Sequence, residues 1–316
     1  MEKIDGLGLV VTRQVATEEE YRKRVDMLTR RAEAYLGRQV TLLDVIVCLG
    51  GQHEEFKPAS IRQYYSALTW AVDEAAARGE LGYASEFAYR DALACRPRPR
   101  PKKAEPRTSA KKRKDFDKVE LHRVCSFLRE RGKVEDKLLF LLLVHNLFLG
   151  MRPSEYSDAD LQGTLLVIRT RKATNGRGLG DYRELDLSNL SEGEIASIHR
   201  LVADFGAASQ GEQGRLLDRL GARLRRACRR LGIAPIALYT TRHQAIATMK
   251  AADKSIAEIA AILGHRGLRT AGKNYAGRRA GWKDVPTVRA SQDMITKAEE
   301  KALPKKPAKP LKPKFR

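Results

Sequence analysis

Residues 96–114 read RPRPRPKKAEPRTSAKKRK, and neither a helix nor a strand can run through them. Each Pro removes a backbone donor, and the residue before it is pushed to extended geometry. Repulsion among the basic side chains stretches the segment further. The chain must therefore fold as separate bodies on either side. Its 316 residues are enough for two cores. The boundaries read from the sequence are a domain at 1–95, a basic Pro-rich linker at 96–115, a second domain at 116–285, and a C-terminal helix with a basic tail at 286–316.

Residues 17–92 carry helical periodicity. Thr17 followed by Glu20 is a capping-box pattern, and Tyr21, Val25, Leu28 and Ala32 then share a face. A second helix is predicted over 58–79, with Ile61, Tyr65, Leu68 and Val72 as its stripe. In the second domain, helices are predicted at 117–131 and 135–150. A β-hairpin follows, with strands at 164–172 and 182–187 around a Gly-rich turn. From Ser191 the pattern is helical again. Ser255 with Glu258 starts a short helix that Gly264 ends.

Sixty Lys and Arg against 39 Asp and Glu give a net charge of +21, which suits a polyanionic partner. No run is apolar for the roughly 18 residues a membrane span needs. The greasiest stretch, 138–149, contains His145 and Asn146 and reads as a buried helix. The N-terminus lacks the pattern of a signal peptide, so a cytoplasmic location and no membrane partner are expected. Cys48, Cys95, Cys125 and Cys228 are too scattered for a zinc motif and are read as free thiols, with no cofactor or metal expected.

Five features fall in order through the second domain. They are Gly150-Met-Arg152-Pro-Ser-Glu155 after the apolar helix, Lys172 at the end of the first hairpin strand, Tyr239-Thr-Thr-Arg242-His243, Leu263-Gly-His265, and Tyr275. In this order they resemble the tyrosine recombinases, the phage-integrase family of site-specific DNA recombinases. That family's pattern is an Arg in a G-x-R-x-x-E turn, a Lys in a hairpin, an H-x-x-R box, an L-G-H box and then a Tyr. The resemblance covers 116–281. It implies a mainly α fold with a small β-hairpin or sheet: a helical N-terminal core-binding domain and an α+β catalytic domain.

The resemblance also implies an enzyme, a DNA strand transferase that needs neither ATP nor metal. Arg152 and Arg242 would clamp the non-bridging oxygens of a phosphodiester. Tyr275 would be the nucleophile, Lys172 would protonate the departing 5′ oxygen, and His265 would bind the phosphate or move the tyrosine's proton. The product would be a 3′-phosphotyrosyl link, and strand exchange would pass through a Holliday junction. The implied partners are two double-stranded DNA sites and a homotetramer on DNA, with an accessory protein compatible. Integrases and transposon recombinases of mobile elements work in this way. A C-terminal segment docking onto a neighbouring protomer is also implied, with Met294, Ile295 and Ala298 as anchors in a helix over 288–302.

Two departures from the family pattern stand out. Tyr239 occupies the place of the usual His, and a phenol donates a hydrogen bond more readily than it accepts a proton. Either Tyr239 orients the phosphate, or His243 substitutes, although neighbours on a helix point about 100° apart. Tyr275 lies ten residues after His265, one more than is commonest, and Gly272 can absorb the extra residue. Glu155 reads as a buttress for Arg152, and Trp282 as packing. Two other functions share parts of the pattern: a helix-turn-helix regulator built on 244–275, and a type IB topoisomerase.

Overall fold

The computed structural model describes residues 15–97, 113–170, 178–209, 211–265, 267–268 and 275–302. Most of the basic linker, the tip of the hairpin with Lys172, the segment around Gly272 and the Lys/Pro tail lie outside the described residues. The chain divides into two compact units, Met1–Arg107 and Thr108–Arg316.

The first unit holds α1 (Val15–Leu36), α2 (Leu42–Gly51), α3 (Pro58–Ala77) and α4 (Tyr83–Ala94). Leu28 and Ala32 of α1, Val45, Ile46 and Leu49 of α2, and Ile61, Tyr65, Leu68 and Val72 of α3 make its core, closed by Leu93. The stripe predicted on α3 is thus buried, and so are Leu28 and Ala32 of the α1 stripe, whereas its Tyr21 and Val25 are half-buried. The Thr17 cap is not formed: α1 already runs from Val15, so Thr17 lies within it. A capping box does form at Thr41 with Asp44, where α2 begins.

The second unit is built around α6 (Val134–Leu149), which is buried on nearly every side. A helix apolar all round belongs inside a core. Its neighbours are α5 (Lys118–Arg131), α7 (Glu192–Gly206), α8 (Glu212–Arg230) and α9 (Leu238–Ala251). After α6 comes a 3-10 turn, Pro153–Asp158, then β1 (Ala159–Gln162), β2 (Leu165–Arg169) and β3 (Tyr182–Asp186). They form an antiparallel sheet in the order β1-β2-β3-β4, the last strand being Arg289–Ala290. The predicted hairpin is the β2–β3 pair. Helix α10 (Ile256–Leu263) follows α9, and α11 (Gln292–Ala302) closes the unit.

Within the single chain, the C-terminal helix packs back on its own unit. Pairing of β4 with β3 brings residues 289–290 back to the sheet, and α11 then lies against α10 with Met294 and Ala298 in the common core. The helix-turn-helix reading fails on burial. A recognition helix must present a face to the groove, whereas Ala257 and all of 259–263 are buried in α10.

Candidate active site

The site forms where α6 ends. Gly150 caps the helix in the left-handed region at φ 61°. A Cβ there would lie 3.1 Å from Leu263 and 3.4 Å from Ala245, so glycine answers both the turn and the close approach of α9 and α10. One turn earlier, Asn146 is fully buried. Its Nδ2 donates to the Met151 carbonyl (3.1 Å) and to Thr241 Oγ1 (2.7 Å), and its Oδ1 accepts from the Tyr156 hydroxyl (3.0 Å). That amide fixes the Arg152 turn against the first turn of α9, where Arg242 sits.

Arg152 starts the 3-10 turn. Its backbone N–H donates to Glu155 Oε2 (2.8 Å) and its Nη1 to Oε1 (2.6 Å). Glu155 is therefore both cap and buttress. Arg242 has no solvent exposure. Its Nη1 donates to the Gly150 carbonyl (2.7 Å), and its Nη2 to the Leu263 carbonyl (3.1 Å) and to His265 Nε2 (3.0 Å).

His265 is placed by the end of α10. Gly264 takes φ 65°, its N–H donates to the Ala261 carbonyl, and the His265 N–H donates to that of Ala260. This paired turn stops the helix and turns the imidazole inward. Arg242 has no acceptor atom, so His265 Nε2 accepts and the ring proton resides on Nδ1. Burial, with Arg242 and Arg152 nearby, holds the ring neutral by lowering its pKa to about 2.

Tyr275 lies over these groups. Its hydroxyl is 3.1 Å from His265 Nε2 and 3.2 Å from the Tyr239 hydroxyl, and its ring stacks on His265 at 5.4 Å. The Arg242 guanidinium is 6.0 Å from the centre of the Tyr275 ring. Lys250 holds the chain just beyond through the Ala276 carbonyl (3.1 Å). Burial pushes the Tyr275 hydroxyl up, but the Arg242 charge and hydrogen bonds from Tyr239 and Arg242 outweigh it and bring it below its ordinary value. Tyr239 moves the other way, raised first by burial. Of the two phenols, Tyr275 ionises first and Tyr239 stays a donor.

Five of the six site residues read from the sequence, Arg152, Tyr239, Arg242, His265 and Tyr275, thus meet in one place. Lys172 lies outside the described residues. Two more groups belong to the cluster. Arg183 of β3 is buried, donating from Nη2 to Glu155 Oε2 (2.7 Å) and from Nε to the Ile262 carbonyl (2.9 Å). Strand alternation marked it: 183, 185 and 187 share a face, and the other two are leucines. His243 packs against Tyr275 (4.8 Å) and Tyr239 (5.4 Å). It points about 100° from Arg242 but shares its face with Tyr239, four residues earlier. Burial lowers its pKa to about 4.

Three guanidiniums surround one carboxylate. Burial alone would raise the Glu155 pKa, yet Arg183, Arg242 and Arg152 hold it well below the usual range. One carboxylate balances one cation, so two positive charges remain for an anion. Nε of Arg152 and of Arg242 have no hydrogen-bond partner among the described residues.

No family model matches the chain, and no curated protein does. Among solved structures, a lambda integrase dimer bound to a COC′ core site is similar over 87% of this chain and 75% of that one, at 17% identity and a TM-score of 0.52. The chain shares the lambda integrase fold. A lambda integrase tetramer bound to a Holliday junction gives 18% identity and a TM-score of 0.51 over the same shares. A shorter lambda integrase bound to the COC′ core site gives 16% and 0.50, over 87% of this chain and 93% of that one. At these identities the likeness is one of fold: helices around a small antiparallel sheet.

Proposed function

We propose that this chain is a site-specific DNA recombinase that cuts and rejoins strands through Tyr275. The observation that carries the reading is the Tyr275 hydroxyl, 3.1 Å from the accepting Nε2 of His265, above a cluster with surplus positive charge. The lambda integrase fold, the net charge of +21 and the order of the motifs support it.

In the proposed step, Tyr275 loses its proton to water, favoured by the Arg242 charge and the Tyr239 hydrogen bond, and its oxygen attacks a DNA phosphorus while the neutral His265 ring holds it in place. A P–O bond to tyrosine forms as the bond to the 5′ oxygen breaks, and the 5′ oxygen takes a proton from Lys172. Arg152 and Arg242 balance the charge that gathers on the non-bridging oxygens. Tyr239 donates to the tyrosine oxygen, the task its raised pKa suits. The bond energy is kept in a 3′-phosphotyrosyl link, so rejoining needs no ATP. Assembly follows the lambda integrase tetramer on a Holliday junction: four copies, two duplex sites, two active tyrosines at a time.

The test is a nicked duplex carrying the cognate site, on which the cleaved strand cannot be religated. Wild type accumulates a covalent protein–DNA adduct and Tyr275→Phe forms none. An adduct that persists in Tyr275→Phe removes the nucleophile assignment, and its absence from wild type on every flanking repeat of the gene removes the recombinase reading.

A further inference from the structure

A second basic concavity lies at the other end of α6, between the C-terminal ends of α5 and α8. Its volume is about 280 Å³, and its lining includes Arg131, Arg223, Arg226, Arg229, Arg230 and Asp136. Helix α6 has 16 residues, which puts this place about 24 Å from Gly150 and the Tyr275 cluster. It belongs to neither the nucleophile nor its guanidiniums.

Five cations face one anion here, and that anion is already satisfied. Asp136 is buried and accepts from Arg131 (3.0 Å) and Arg223 (2.9 Å). Arg223 also reaches Glu135 (2.5 Å), which takes Arg219 as well (2.8 Å). Among the described residues, Arg226 makes its hydrogen bond only to the Ala222 carbonyl of its own helix (3.4 Å), and Arg229 and Arg230 have no acidic partner. Helix C-termini favour arginine, but each supplies about half a negative charge. Two such ends cannot balance three free guanidiniums. The floor is apolar, with Phe127, Leu128 and Ala227, and the Arg131 guanidinium lies 5.5 Å from the Phe127 ring centre.

We propose that this cavity is a phosphate-binding site separate from the candidate active site. Guanidiniums in a fork match phosphate oxygens bidentately. The volume of about 280 Å³ is just below the roughly 300–1,000 Å³ of ligand pockets, which fits one phosphate-bearing group and not a polypeptide segment. The phosphate comes either from a DNA backbone or from a free polyphosphate, and the chemistry of recognition is the same. The inference does not rest on the nucleophile.

The test compares two full-length variants of equal charge. Arg229→Gln with Arg230→Gln, the rim variant, removes two of the five guanidiniums that line the cavity. Arg215→Gln with Arg225→Gln removes two exposed arginines of the same helix that do not line it. Gln and Arg have similar helix propensity, so α8 persists in both. One arm reads the salt dependence of binding to a mixed-sequence duplex, and the other reads the rise in unfolding temperature with pyrophosphate. If DNA fills the site, the rim variant loses about 0.9 in salt slope for each phosphate contact removed, and the control loses less. If a free polyphosphate fills it, the rim variant alone loses the pyrophosphate shift. Rim and control variants that behave alike in both arms overturn the proposal. Adduct formation on a nicked site reports on Tyr275 by itself, so either assignment can fail while the other stands.

Discussion

Arg183 shows how much one buried charge can govern. It joins β3, the end of α10 and Glu155, and through Glu155 it sets both Arg152 and Arg242. Losing Arg183 takes one partner from the buried Glu155 and the donor from the buried Ile262 carbonyl, and a buried acceptor left unpaired costs about 1–3 kcal/mol. Arg183→Met should lower the unfolding free energy in urea by that order, and an unchanged value would mean Glu155 is held by its other arginines alone. The Tyr239–Tyr275 contact makes a second prediction. Tyr239→Phe removes a donor that lowers the Tyr275 pKa, so the rising limb of the pH–rate profile for adduct formation, set by loss of the tyrosine proton, should move to higher pH. An unmoved limb would show that Tyr239 does not act on the nucleophile. Sequence carried the site residues because motif order and residue chemistry are local properties. Arg183 and His243 were legible only through the periodicities of strand and helix, which had to be applied to charged residues as well as apolar ones.

Among elements, the ends carry more of the design than the middles. Gly150 closes α6 where α9 and α10 both approach. Gly150→Ala places a Cβ 3.1 Å from Leu263 and forces a left-handed backbone that costs about 1–2 kcal/mol. We expect a comparable loss in denaturant stability, and a disproportionate loss of adduct formation because the Gly150 carbonyl holds Arg242. Deleting 286–316 should lower the unfolding midpoint and expose the face of α10 that Met294 and Ala298 cover, detectable by an apolar dye. A stable, dye-silent variant that fails only in assembly on DNA would instead support docking onto a neighbour. The periodicity gave α1, α3 and α5, and cap residues gave the short α10, but α7, α8 and α9 merged into one helical stretch after Ser191. Strands β1 and β4 carried no such signal, because four and two residues are too few to show alternation, and their pairing is a tertiary matter.

At the scale of the whole molecule, three histidines are folded in as neutral rings. His145 and His243 fall to about 4 and His265 to about 2, each chiefly through burial. Unfolded, they titrate near 6.5. Below that pH the unfolded chain binds protons that the folded chain refuses, so stability falls as pH falls. The slope is about 1.4 kcal/mol per pH unit for each ring, with all three contributing between about pH 6.5 and 4. Urea midpoints measured downward from neutrality should drop steeply, and a flat profile to about pH 5 would show the rings are charged in the fold. Net charge and the Pro-rich break at 96–114 were visible in the sequence; the burial that silences these histidines was not. One further consequence follows from the ring of Tyr275 lying over the unexposed Arg242. The side chain that would attack is also the stopper over its own anion seat. Small anions, which gain too little to dislodge it, should inhibit poorly, whereas a duplex gripped along its length supplies the leverage to lift it.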